Sequence, residues 1–183
     1  MAVQELNCHY CAVPTFGRSM IQRFWESASN MKKLAARNYE DLLQCTIPFF
    51  EGLLPEPHNA AIASLLFMLA EWHTLAKLQM HTKTLVNWLQ QCTTNLSSQM
   101  RRFKMHTCSS FVTRALPKEE AACGQGQVKK AARRGQTTAG PLPTASKQPH
   151  KVKLFNLFTY KYHSLGNYMK MILQFGTTDL YST

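Results

Sequence analysis

The chain holds a single Cys-x-x-Cys, Cys8-His9-Tyr10-Cys11. Two thiolates at that spacing can form half of a tetrahedral zinc site. No second half follows at finger spacing, since the next cysteine is Cys45 and the next histidine His58. Residues 1–18 therefore read as a poorly structured stretch, with a zinc site or a redox pair as alternatives. A cysteine nucleophile needs a base held against it, and the sequence assigns none to Cys45, Cys92, Cys108 or Cys123. Cys92 lies on an apolar stripe and reads as packing. His73 and His81 fall eight residues apart on one expected helix, about 12 Å along its axis, too far to share a metal. His73, next to Trp72, reads as a core or rim histidine. The acids number 10, and Asp41 and Asp179 are the sole aspartates. Magnesium or manganese chemistry needs two or three carboxylates converging on one ion, and no such set is apparent. Nor is there a G-x-S-x-G, a P-loop or a G-x-G-x-x-G. The expectation is no enzyme: no catalytic residue, metal, cofactor or small-molecule substrate.

Positive charge is the other chemistry available. Lys and Arg total 21, for a net +11. Lys129, Lys130, Arg133 and Arg134 form a cluster, and Lys147, Lys151 and Lys153 extend it with no acid between Glu120 and Asp179. Such a run can follow a phosphate backbone or act as a nuclear-import signal. It can equally be a solubilising linker. Lys129, Lys130, Arg133, Arg134, Lys151 and Lys153 are the nucleic-acid candidates, and DNA the candidate partner. Phe155, Phe158, Tyr160, Tyr162 and Tyr168 interleave with Lys151, Lys153, Lys161 and Lys170, a pattern that can stack single strands. Their helical spacing favours a core instead.

These residues need elements to position them. Hydrophobic residues make up 45% of the chain, enough for a core and too many for disorder throughout. Six cysteines, unevenly spaced, do not make a disulfide scaffold. Ile21, Phe24, Ala28, Met31, Ala35, Tyr39 and Leu42 recur at helical steps, predicting a helix over Ser19–Ile47 that Pro48 stops. Asn59 is a candidate N-cap for a second helix to His81, with Leu65, Leu69, Trp72 and Ala76 inward. A third helix is expected over Thr84–Arg114, with Leu85, Trp88, Leu89, Cys92, Leu96, Met100 and Phe103 on one side. From Pro117 to His150 the apolar period vanishes among Gly, Pro and basic residues. As a free coil this linker would hold its ends roughly 30 Å apart. Leu157, Lys161, Leu165, Tyr168, Ile172 and Phe175 then predict a final helix closed by Gly176. The fold class is all-α: an irregular bundle of three long helices over 19–116, a disordered basic linker over 117–150 and a final helix over 151–183. The apolar run Ala60–Ala70 is too short to cross a bilayer, so no membrane partner is expected. Residues 1–5 lack the basic and apolar regions of a signal peptide.

The run from Lys33 through Ala36, Arg37, Tyr39, Glu40 and Asp41 to Pro48, followed by Glu51 to Asn59, resembles the helical region of fungal Plavaka-type transposases. Trp72-His73, Ala76-Lys77-Leu78, His81-Thr82, Thr107-Cys108 and Phe111 to Arg114 fit the same pattern. It resumes from Phe155 through Tyr160-Lys161, His163 to Tyr168, and Phe175 to Thr183. The resemblance implies the C-terminal side of a cut-and-paste DNA transposase, outside its RNase H-like, metal-dependent acidic core. No catalytic residue carries over. What it implies is a transposon-derived fragment or remnant, apparently truncated, whose partners are DNA and other transposase-derived subunits. The nucleus is then the expected location, the cytoplasm the alternative. Two function classes stay open: a module that binds DNA nonspecifically, and a structural or protein-interaction module with no nucleic-acid role.

Overall fold

In the computed structural model, residues 2–17, 21, 23, 24, 28, 34–115 and 151–176 are described. Among them the regular structure is helical, and no β-strand forms. The chain divides into two units, Met1–Thr107 with Leu157–Thr183, and Cys108–Asn156.

The N-terminal stretch is not the poorly structured segment expected from its sequence. Helix α1 runs Ala2–Cys11, with Glu5 in the first turn and His9 in the last, each favourable to the helix dipole. Tyr10 anchors it. Its ring is buried, edge-on to Phe24 and Phe49 at 5.1 and 4.9 Å between centroids. Its hydroxyl lies between the Leu42 carbonyl and the Thr46 hydroxyl. Helix α2, Ala36–Phe49, is shorter than the sequence predicts. Ala35 is extended, and the Asn38 side chain accepts from its N–H at 3.0 Å, which fixes the start there. Ile21 instead pairs with Phe16 in an antiparallel bridge. Ile21 and Phe24 still pack around Tyr10, Leu42 and Cys45, so these stripe positions are core without being helix. Pro48 sits inside the last turn, and α2 ends one residue later.

Helix α3 spans His58–Ala76. Asn59 is not its cap. Its side chain accepts from Gly52 N–H at 2.9 Å and donates to Glu56, whose other carboxylate oxygen accepts from Ala60 N–H. Glu56 therefore closes the helix start, where negative charge is favoured. Helix α4, Lys83–His106, begins at Thr82, whose hydroxyl accepts from Leu85 N–H. It stops well short of Arg114, with a 3-10 turn at Cys108–Ser110. The two helices are antiparallel partners. Leu65, Trp72, Leu75 and Ala76 meet Val86, Leu89, Cys92 and Leu96, with Leu89 and Leu96 fully buried. Trp88, expected inward, is half exposed, and Val86 takes that place.

The final segment is not the single helix expected from Leu157: a short helix α5, Tyr160–Ser164, starts at the Thr159 cap, a 3-10 turn at Leu165–Asn167 interrupts it, and helix α6 runs Tyr168–Phe175. Ile172 enters the α3–α4 core, and Tyr168 stands edge-on to Trp72 at 4.9 Å. Gly176 closes α6 at φ +77°, as its position predicts, donating its N–H to Ile172 O at 2.7 Å.

In the second unit Arg114 and Val152 form an antiparallel bridge. Ala115 N–H donates to Lys151 O and Lys153 N–H to Thr113 O, both at 2.8 Å. The base of the basic linker is thus pinned, not the roughly 30 Å apart a free coil would leave it. Residues 116–150, including Lys129, Lys130, Arg133, Arg134 and Lys147, lie outside the described residues.

Candidate nucleic-acid interface

Of the six candidate residues, the structure describes Lys151 and Lys153. Both are exposed. Extended backbone alternates its side chains, so these two lysines share one face of the pairing and Val152 takes the other with Arg114. They form a small basic edge in the second unit.

A second basic surface lies at the C-terminal end of α4. This helix contains no Asp or Glu, and neither does the segment 151–176. Arg101, Arg102, Lys104 and His106 crowd its last turns. Lys104 and His106 also meet the negative end of the helix dipole, a contribution to folding that needs no ligand. Helical geometry divides the four between two stripes, Arg101 with Lys104 and Arg102 with His106.

The first stripe faces the final segment. Tyr162 donates its hydroxyl to Ser97 O at 3.3 Å, one turn before Arg101. The Lys104 ammonium lies 5.3 Å from the centre of the Phe158 ring, within cation–π range. Phe158 is 81% exposed and Tyr160 83% exposed. The core reading of the aromatic run thus holds for Tyr168, which packs on the core; Tyr162 is half-buried beside α4, and Phe155, Phe158 and Tyr160 are exposed.

The second stripe lines a groove of about 300 Å³ between the end of α4 and the start of α3. His58, Gln99, Arg102, Phe103, His106 and Thr107 are among its walls. His58 Nδ1 lies 3.3 Å from the buried Thr107 hydroxyl. The sequence reading missed this groove. The pair Arg102 and His106, one turn apart, was the available signal, but nothing local tells which residue faces it across an antiparallel partner.

Other candidate groups are occupied structurally. Cys45 and Cys92 are buried, and burial pushes both thiols up, away from the nucleophilic thiolate. Cys8 and Cys11 lie exposed on α1. Among the described residues no group of three or more His, Cys, Asp and Glu could hold a metal ion. His73 and His81 do not share a helix. α3 ends at Ala76, and His81 turns back to place Nε2 at 3.0 Å from Leu75 O. His73 lies 3.8 Å from Glu40, which also binds Lys77. Burial lowers the His73 imidazole against the opposing pull of Glu40, which weakens this contact as an ion pair. Among the described residues, no helix is long and apolar enough to cross a membrane.

Comparisons with protein-family models, with curated proteins and with solved structures return no match.

Proposed function

We propose that this chain is a non-catalytic helical module of a transposon-derived protein that holds nucleic-acid backbone without reading its sequence, in the nucleus. One observation carries the reading. Lys104 covers one exposed aromatic ring, Phe158, on a helix and a segment that together contain no carboxylate. A cation beside an exposed aromatic ring, here Tyr160 two residues on, matches the alternating phosphates and bases of a strand. The acid-free run Lys129 to Lys153 adds charge of the same sign, with Lys151 and Lys153 fixed at its base. Gly and Ala around Lys129, Lys130, Arg133 and Arg134 offer no rigid helix to enter a groove, so base-specific contacts would be few. DNA is the expected partner, alongside other transposase-derived subunits.

Fluorescence anisotropy on two unrelated oligonucleotides, single- and double-stranded, tests this across a salt series. If about four to six phosphates are engaged, log affinity falls with log salt at a slope of about −4 to −5, alike for both sequences. Changing Lys129, Lys130, Arg133 and Arg134 to Ala should flatten the slope. Arg101→Ala with Lys104→Ala should weaken single strands more than duplex. Affinity unchanged in both variants, or absent from the parent at low salt, returns the chain to a structural or interaction module.

A further inference from the structure

We propose that the groove between the start of α3 and the end of α4 is a seat for one phosphate group. This deepens the backbone-binding reading and rests on it for the source of that phosphate. The charge comes from α4. Arg102 is exposed, its planar guanidinium presents several donors at once, and no carboxylate lines the groove beside it. Two imidazoles approach from opposite walls, His58 on the first residue of α3 and His106 one turn beyond Arg102. Where the Thr107 hydroxyl donates to His58 Nδ1, the ring carries its proton on Nε2 and becomes a second donor type.

The helix start itself supplies nothing. His58 and Asn59 N–H donate to Pro55 O, Ala60 N–H to Glu56, and Ala61 N–H to Pro57 O. An anion here must therefore be held by side chains. The charged oxygens of a backbone phosphodiester only accept, so they match a set of guanidinium and imidazole donors. A free carboxylate group would match less well, because it offers two oxygens where the walls present three cationic or imidazole groups. At about 300 Å³ the groove is at the small end of ligand sites and admits a phosphate with its sugar. Phe103 gives that sugar or its base an apolar wall.

Imidazole resonances of the full chain, followed by NMR, test the seat with three probes: inorganic phosphate, 5′-AMP and a ten-residue oligothymidylate. The expected result is saturable movement of both His58 and His106 signals, lost or weakened about tenfold or more in Arg102→Ala. Movement with the oligonucleotide assigns the seat to a backbone phosphate. Movement with phosphate and 5′-AMP alone assigns it to a free phosphate or monoester and removes its tie to nucleic acid. No movement with any probe, or movement that persists in Arg102→Ala, overturns the proposal. Oligonucleotide anisotropy on the same samples separates the two failures. Binding without imidazole movement sinks the seat alone, and movement with 5′-AMP without oligonucleotide binding sinks the backbone reading alone. Because Arg102 is exposed, its replacement leaves the helical circular dichroism spectrum as a check on folding.

Discussion

Trp72 donates its indole N–H to the Thr93 hydroxyl at 2.8 Å, and Thr93 donates onward to Leu89 O at 2.7 Å. Both side chains are buried, so removing the acceptor strands a donor in the core. Thr93→Val keeps the shape and should cost about 1–3 kcal/mol in urea denaturation, the usual penalty for a buried unsatisfied group. His73 makes a different demand, because burial holds its imidazole below the ordinary value. The unfolded chain therefore binds the extra proton more readily than the folded one. Stability from this group is full above the ordinary imidazole value and is lost as pH falls from there through the lowered folded value. Thermal unfolding at pH 7.5, 6.5 and 5.5 should show that loss, and His73→Gln should make the curve shallower over the same interval. An identical acid dependence in both proteins would rule His73 out as its source.

Helix α6 depends on a glycine at the position just past its last residue. Gly176 sits at φ +77°, and a Cβ there would meet nothing within 4 Å. The penalty for Gly176→Ala is thus conformational alone, about 1–2 kcal/mol, and Gly176→Asn should lose less; urea midpoints of the two variants measure it. This helix was legible in the sequence because its apolar period and its stop signal agree. α3 and α4 were legible from their apolar period, down to Trp72, Leu89 and Leu96, but their ends were not, since α3 stops at Ala76 and α4 at His106. The beginning of α2 was not. Ile21, Phe24 and Ala28 repeat at helical steps and are apolar because they surround Tyr10, and periodicity alone does not distinguish a helix from irregular chain serving one core. Asn59 has the residue type of a cap, yet Glu56 accepts from Ala60 N–H, Pro57 O takes the Ala61 N–H that an Asn59 cap would have used, and the Asn59 side chain ties down Gly52 instead. The basic turns of α4 could be read directly from Arg101, Arg102 and Lys104. Their division into an aromatic side and a groove side depends on partners from α3 and the final segment, which no local pattern encodes.

At the scale of the whole molecule, opposite charge is unevenly shared. α4 and the segment 151–176 carry no acids, while Glu40, Asp41, Glu51, Glu56 and Glu71 all belong to α2, α3 and their connection. Glu40 is engaged with Lys77, and Glu56 with the start of α3. The net charge of +11 thus leaves basic groups in excess of acids along the chain. The final segment, meanwhile, is attached to the first unit by more than its peptide bonds. Leu157 and Ile172 are buried, Tyr168 rests on Trp72, and Tyr162 reaches Ser97 O. The long basic run before it is consequently dispensable as a tether. A protease site engineered between Gly124 and Gly126, once cut, should yield a two-piece protein whose halves co-elute at micromolar concentration with nearly unchanged helical signal. Cutting forfeits the effective concentration the linkage provided, of millimolar order for a short connection, so dilution should part the halves where the intact chain stays whole. Ile172→Ala should part them at higher concentration still, and halves that separate at once on cleavage would mean that the docked helix cannot hold by its own contacts.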